Sequence, residues 1–137
     1  MEGKKTYTIL KILDSVGSVK GRTKLQKLIF LGQEEAGLHN LFSYRPYHYG
    51  PYSQELTGLI DELKLGGYVE EKCRVSDDFI EYEYNITPKG REQLSSLEKQ
   101  HRNEISSKTI RKIKKLNKQS RNEIISYVYR KYLDNLQ

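Results

Sequence analysis

Three histidines and one cysteine are the side chains here best suited to metal or nucleophilic chemistry, and their spacing argues against both. His39, His48 and His101 are scattered, with no His-x-x-x-His pair and no carboxylate at ligand spacing. Cys73 stands between Lys72 and Arg74 in a predicted strand. Flanking cations lower a thiol pKa, but adjacent strand residues point to opposite faces, so a core or incidental cysteine is expected. A lone cysteine also forms no disulfide within the chain and no cysteine-based zinc site. The expectation is a non-enzymatic protein with no catalytic residue, no metal and no cofactor.

Phosphate binding is the chemistry that the cations suggest. "GSVKGR" has two glycines and two cations but lacks the Gly-Lys-Ser/Thr order of a nucleotide-binding loop. The helix predicted to start near Thr23 nevertheless brings Lys20, Arg22, Lys24 and Lys27 around an N-terminus, where a nucleic-acid phosphate can be held. An ordinary solvated face is the alternative. Further along, "SSKTIRKIKKLNKQSRNE" places Lys108, Arg111, Lys112, Lys114, Lys115, Lys118 and Arg121 within 14 residues. Ile110, Ile113 and Leu116 recur every third residue among them, the pattern of a cationic amphipathic helix. Such a helix suits phosphates, an acidic protein or an anionic surface, or it is a solvated face docked by its isoleucines.

A third feature is "YRPYHYGPYS", residues 44–53, with four tyrosines, a histidine and two prolines. The prolines forbid a regular helix. Arg45, Tyr47, His48, Tyr49, Tyr52 and Gln54 supply stacking and hydrogen-bonding groups for nucleic acid. Tyr44, Tyr47, Tyr49 and Tyr52 would equally furnish a protein-partner surface, and a tyrosine-rich structural corner is the third reading.

The elements that must position these groups follow from periodicity and punctuation. Apolar residues at helical spacing over 5–16 stop at Gly17, and "GSVKGR" reads as a loop. Thr23 with Gln26 has capping-box spacing and opens a second helix. Residues 37–51 read as an irregular aromatic connection. Ser53 then caps a helix carrying Leu56, Leu59, Ile60 and Leu63, which Gly66-Gly67 ends. "YVEEKCRV" and "FIEYEYNIT" alternate on either side of "SDD" as a β-hairpin. Thr87-Pro88 caps another helix, and residues 104–135 read as two helices meeting near Asn117–Ser120. Ile124, Ile125, Val128, Tyr129, Tyr132 and Leu133 give the last of them an apolar face, for packing on the same chain or on a second subunit as a homodimer.

The order helix, helix, connection, helix, two-stranded wing, helix is that of a winged helix-turn-helix, an α+β and mostly helical fold. "LIDELKLGGYVEE" followed by "YNITPKGREQL" resembles many winged-helix regulators over about residues 50–97. "KLQKLIFLGQE", "FSYRPYHYGPYSQEL", "LKLGGYVE" and "ISYVYRKYL" resemble the YwgA-like group and the related SocA-like, or Panacea, domain over most of residues 22–133. The match is better to the aromatic, glycine-proline YwgA variant. The SocA-like resemblance implies an antitoxin that binds and neutralises a toxin protein. The expected organisation is a winged-helix domain over 1–101 and a basic helical extension over 102–137, packing on the domain or on a second subunit.

Charge refines the expected partner. Residues 1–36 carry 7 basic and 4 acidic groups (+3), residues 37–100 carry 7 and 11 (−4), and residues 101–137 carry 10 and 3 (+7), for a net charge of +6. The predicted recognition helix holds Gln54, Glu55, Thr57, Asp61, Glu62 and Lys64, a net −2. An acidic helix is repelled by a duplex carrying one charge per ~1.7 Å. The leading expectation is therefore a DNA-associated regulatory protein that grips phosphates through its basic ends. The runner-up is an interaction module for a toxin-like protein partner. No apolar stretch suits a signal peptide or a membrane span, so a cytoplasmic protein with no membrane contact is expected.

Overall fold

Helix α1 (Gly3–Val16) opens the chain and buries Tyr7, Ile9, Leu10, Ile12 and Leu13. A computed structural model describes residues 3–75 and 77–136, with side chains as far as residue 132. After Gly17, at φ +87°, comes a two-residue strand, β1 (Val19–Lys20), where the sequence suggested only a loop. Its partners lie more than sixty residues away, Val19 opposite Tyr84 and Lys20 opposite Glu83, so no local pattern announces it.

Helix α2 (Arg22–Leu31) starts two residues earlier than its apparent capping box. Gly21 is its N-cap, with no side-chain cap bond, which places Thr23 and Gln26 inside the helix. The capping-box expectation fails because Gln26 is turned into the core. Its Nε2 donates to Ser53 O (2.8 Å) and Thr57 Oγ1 (2.9 Å), and its Oε1 accepts from Ser53 N (2.9 Å). From Lys24 to Leu31 every residue of α2 is buried. It is the central rod of the fold.

A π-helical turn (Gly32–Ala36) follows and ends at Gly37, φ +99°. The aromatic connection then contains a short hairpin, β2 (Arg45–Tyr47) and β3 (Gly50–Tyr52), with Pro46 opposite Pro51. Gly50, at φ +101°, allows the tight reversal after His48-Tyr49. Ser53 caps α3 (Gln54–Leu65), its Oγ accepting from Leu56 N at 3.1 Å. Gly66 and Gly67 stop that helix.

Strands β4 (Val69–Val75) and β5 (Ile80–Ile86) form an antiparallel hairpin, and the three-stranded sheet runs β1-β5-β4. The expected wing turn includes Ser76, which lies outside the described residues. Thr87 caps α4 (Pro88–His101), with Pro88 in its first turn. Ser106 caps α5 (Ser107–Asn117), and α6 (Arg121–Leu136) closes the chain.

The fold is α+β and mostly helical. Its core joins Leu10 and Leu13 of α1, Leu25 and Leu28 of α2, Leu56 and Leu63 of α3, and Tyr84 of β5, each 0–1% exposed. α4 packs on α1, α5 on α1 and the π-helical turn, and α6 on α2 and β3. Ile124 and Val128 of α6 are fully buried within the single chain. The side chain of Leu133, expected on the same face, lies outside the described residues. No described helix is long and apolar enough to cross a membrane.

Candidate nucleic-acid interface

α5 is docked by a narrow stripe and turns its charge outward. Thr109 and Ile113 are buried, while Lys108, Arg111, Lys112, Lys114, Lys115 and the C-capping Lys118 are exposed. Elsewhere several cations are paired, among them Lys4 with Glu104, Lys11 with Glu98, Lys64 with Glu71, Arg74 with Glu83, Arg91 with Asp14 and Lys131 with Glu35. Among the described residues, none of the six on α5 is within ion-pairing distance of a carboxylate. Six like charges over roughly 16 Å of helix repel one another until an anion arrives.

The end of α5 is tied down from below. Lys24 Nζ donates to Asn117 O (2.7 Å), completing a C-terminal carbonyl of the helix, and Asn117 Nδ2 donates to Ser18 O (3.0 Å). At this corner Lys20, Lys118 and Arg121 line a cavity of about 480 Å³ together with Glu81 and Glu123. α6 starts there through a reciprocal cap, Ser120 N donating to Glu123 Oε1 (2.9 Å) and Glu123 N to Ser120 Oγ (3.1 Å). Hydrogen bonds from the Ser120 backbone N–H and its hydroxyl hold the Glu123 carboxyl below its ordinary pKa. A second cavity of about 680 Å³ continues past Arg121 to Phe79, Ile80 and Tyr82 at the start of β5.

The N-terminal cations behave differently from the sequence expectation. Lys20 is exposed, but Lys24 and Lys27 are 7% and 2% exposed, which takes both out of a surface phosphate clamp. The helix that carries them is buried all round, and a lysine there has no solvent side to choose. Arg22 is spent inside the protein: Nε donates to Tyr84 Oη (2.9 Å), and Nη2 reaches Asp61 (3.1 Å) and Glu71 (3.3 Å). Tyr84 also donates to Glu71.

The aromatic hairpin is half committed to packing. Tyr44 sets its ring edge-on to Phe30 (5.1 Å between centroids) and its hydroxyl toward Gln26 O, so burial pushes its pKa well above the ordinary value. It is a core-facing residue, against the expectation of a partner contact. Tyr52 is half-buried, its ring tilted against that of Tyr47 (5.1 Å between centroids), which also meets His48 (4.7 Å). Tyr47 and Tyr49 are 54% and 53% exposed, and Arg45, His48 and Gln54 are exposed. Two contacts from α6 fix the turn, Tyr129 Oη donating to His48 O (2.6 Å) and the Arg121 guanidinium lying over Tyr49 (5.1 Å). Arg121 therefore joins the β2–β3 hairpin, the α5 corner and the groove along β5, a position no linear motif announced.

Among the described residues, no group of three His, Cys, Asp or Glu side chains is arranged to hold a metal. His39 and His101 both approach Glu104 (3.7 and 3.5 Å), while His48 lies on the hairpin. Cys73 is exposed on β4 opposite Tyr82, not in the core.

The chain is similar to the uncharacterized protein YwgA of Bacillus subtilis (strain 168), with 31% identity over 83 residues. That match supports a YwgA-like grouping. It covers 60% of this chain and 49% of YwgA, so the chain spans about half the length of the relative it matches. No protein-family model matches the chain.

Proposed function

We propose that the protein is a non-enzymatic winged-helix module that associates with DNA, gripping phosphates through α5 and the Lys20–Lys118–Arg121 corner. The observation that carries this reading is the row of six exposed, unpaired cations on α5. Support for the winged helix comes from the element order α1-β1-α2-α3-β4-β5 with β1 paired to β5, although residues 32–53 lengthen the connection between α2 and α3. α3 is not the reading element. Its exposed residues include Glu55, Asp61 and Glu62, and the basic groups beside them, Lys5 and Arg22, already pair with Glu55 and Asp61. The contact is with phosphates and carries little sequence preference of its own. The extension 102–137 packs on its own domain, consistent with the burial of Ile113, Ile124 and Val128.

An electrophoretic shift series tests this directly. Replacing Lys112, Lys114 and Lys115 with Gln should weaken binding to unrelated duplexes alike. Replacing Glu55 and Glu62 with Gln should leave binding unchanged or strengthen it. A triple variant that binds like wild type sinks the reading.

A second reading is favoured by one observation, the exposed Tyr47 and Tyr49 at the hairpin tip. Tyrosines of this kind are frequent binding anchors, and a SocA-like antitoxin would hold its toxin through such a surface. Here the partner would be a protein encoded beside this one, and Tyr47→Ala should abolish co-purification with it. Retention of the complex by that variant contradicts the second reading.

A further inference from the structure

We propose that the cavity between α5, α6 and the π-helical turn binds a small organic anion. Lys112 and Lys115 would hold its charge, and Ala36, Leu116 and Tyr127 its apolar body. The cavity measures about 330 Å³ and is lined by those five residues together with Glu35 and Gln119. That volume lies at the lower end of the range of about 300–1,000 Å³ in which small-molecule sites fall.

The charge in this cavity is unbalanced. Lys112 and Lys115 share one face of α5, and among the described residues neither has an ion-pair partner. The carboxylate in the wall, Glu35, is already committed. It accepts from Tyr127 Oη at 2.9 and 3.0 Å, from Lys131 Nζ at 2.8 Å and from Tyr132 Oη. These contacts fill most of its acceptor capacity, about four lone-pair sites. Lys131 also balances its charge, which leaves Lys112 and Lys115 as two uncompensated cations.

The walls are fixed before any ligand arrives. Gly32 and Gly37 let α5 lie close against the π-helical turn: an added Cβ would stand 3.5 Å from Ile113 Cδ1 at the first and 2.7 Å from Thr109 Oγ1 at the second. Tyr127 is held by its bonds to Glu35 and by Lys131 over its ring, at 5.5 Å. A π-helical turn is a rare element that recurs at functional sites. The occupant follows from the mixture of walls. An inorganic anion leaves Ala36, Leu116 and the tyrosine ring uncovered, and a neutral apolar molecule leaves the two ammonium groups unanswered. An organic carboxylate serves both, one oxygen for each ammonium and its body against the apolar wall. The site stands without DNA. One consequence, that such an anion competes with a duplex for Lys112 and Lys115, rests on the phosphate-binding reading of α5.

An amide NMR titration of the full chain, without DNA and at constant ionic strength, tests the site with benzoate as the probe. Benzoate should shift the amides of residues 35–36, 112–119 and 127 saturably. Benzamide, which lacks the charge, and acetate, which lacks the ring, should bind at least about tenfold more weakly. Replacing Lys112 and Lys115 with Gln should weaken benzoate by a similar factor, and because both side chains are exposed the fold should be unaffected. Lys114→Gln removes the same charge from the same helix outside the cavity and should leave benzoate binding unchanged. A chain that binds benzoate in this way but no duplex contradicts the DNA reading and supports this one. The proposal is overturned if benzoate gives no saturable shift, or if acetate or inorganic phosphate binds as tightly. It is equally overturned if Lys114→Gln weakens benzoate as much as the loss of the two cavity lysines.

Discussion

Gln26 and Ser53 close a reciprocal pair of hydrogen bonds, the amide of one holding both the N–H and the C=O of the other at 2.9 and 2.8 Å. This pair fixes where α3 begins relative to α2, and Gln26 reaches on to Thr57 as well. Gln26→Leu leaves the buried Ser53 N–H unpaired and its carbonyl with only the Thr57 N–H. It should cost about 2–4 kcal/mol in urea unfolding, against about 1 kcal/mol for removing the Ser53 cap hydroxyl alone with Ser53→Ala. Equal costs would show that the pair is not the link.

Lys27 should give the protein an unusual alkaline stability profile. In the folded chain it titrates at about 8, chiefly from burial and then from the charge of Arg121, whereas an unfolded lysine titrates near about 10.4. Between those values the unfolded state binds more protons, so stability increases as pH rises from about 8 toward about 10. Below about 8 the full penalty is present, on the order of 3 kcal/mol. Tyr7 and Tyr84, each pushed up to about 12 with burial the largest cause, oppose the trend once unfolded tyrosine ionises near about 10. Urea unfolding across this window should show a rise in wild type and none in Lys27→Met.

On the acid side, Glu35 anchors α6 to the π-helical turn. Burial raises its pKa, but hydrogen bonds from Lys131, Tyr132 and Tyr127 outweigh burial and hold it below the ordinary range. A carboxylate depressed in this way stabilises above the unfolded value of about 4.3 and loses that contribution as pH falls through its folded value. Glu35→Gln should cost about 1–2 kcal/mol at neutral pH, and the difference from wild type should shrink in acid melts. A difference independent of pH would assign the effect to packing.

Punctuation made much of this fold legible, and tertiary context hid the rest. Ser53, Thr87-Pro88 and Gly66-Gly67 act through bonds to their own neighbours, so the ends of α3 and α4 could be read in the sequence. β1 could not, because two residues in "GSVKGR" become a strand only by meeting Tyr84 and Glu83. The hairpin was masked by its own prolines, which read as strand breakers yet pair with each other at Pro46 and Pro51. Lys24 and Lys27 misled for a third reason. In a helix buried all round, residue type no longer reports which side faces water, and their burial is set by α5, α6 and the hairpin packed around them.

The hairpin tip should tolerate change that its base does not. Tyr47→Ala removes an exposed ring and should shift stability by no more than about 0.5 kcal/mol. Tyr44→Ala opens a gap against Phe30 and should cost about 3 kcal/mol. Chemical denaturation of the two variants separates a presented aromatic from a structural one. A large loss from Tyr47→Ala would mark the whole segment as structural.

The salt dependence of duplex binding tests the central reading most directly. With the six cations of α5 engaged, fluorescence anisotropy of a labelled duplex should give a log–log slope near about −5. Affinity should then fall about a thousandfold between roughly 50 and 200 mM salt. Replacing Lys112, Lys114 and Lys115 with Gln should reduce that slope by about 3. Absence of salt-sensitive binding at low ionic strength, or a slope unchanged by the triple replacement, would contradict the account.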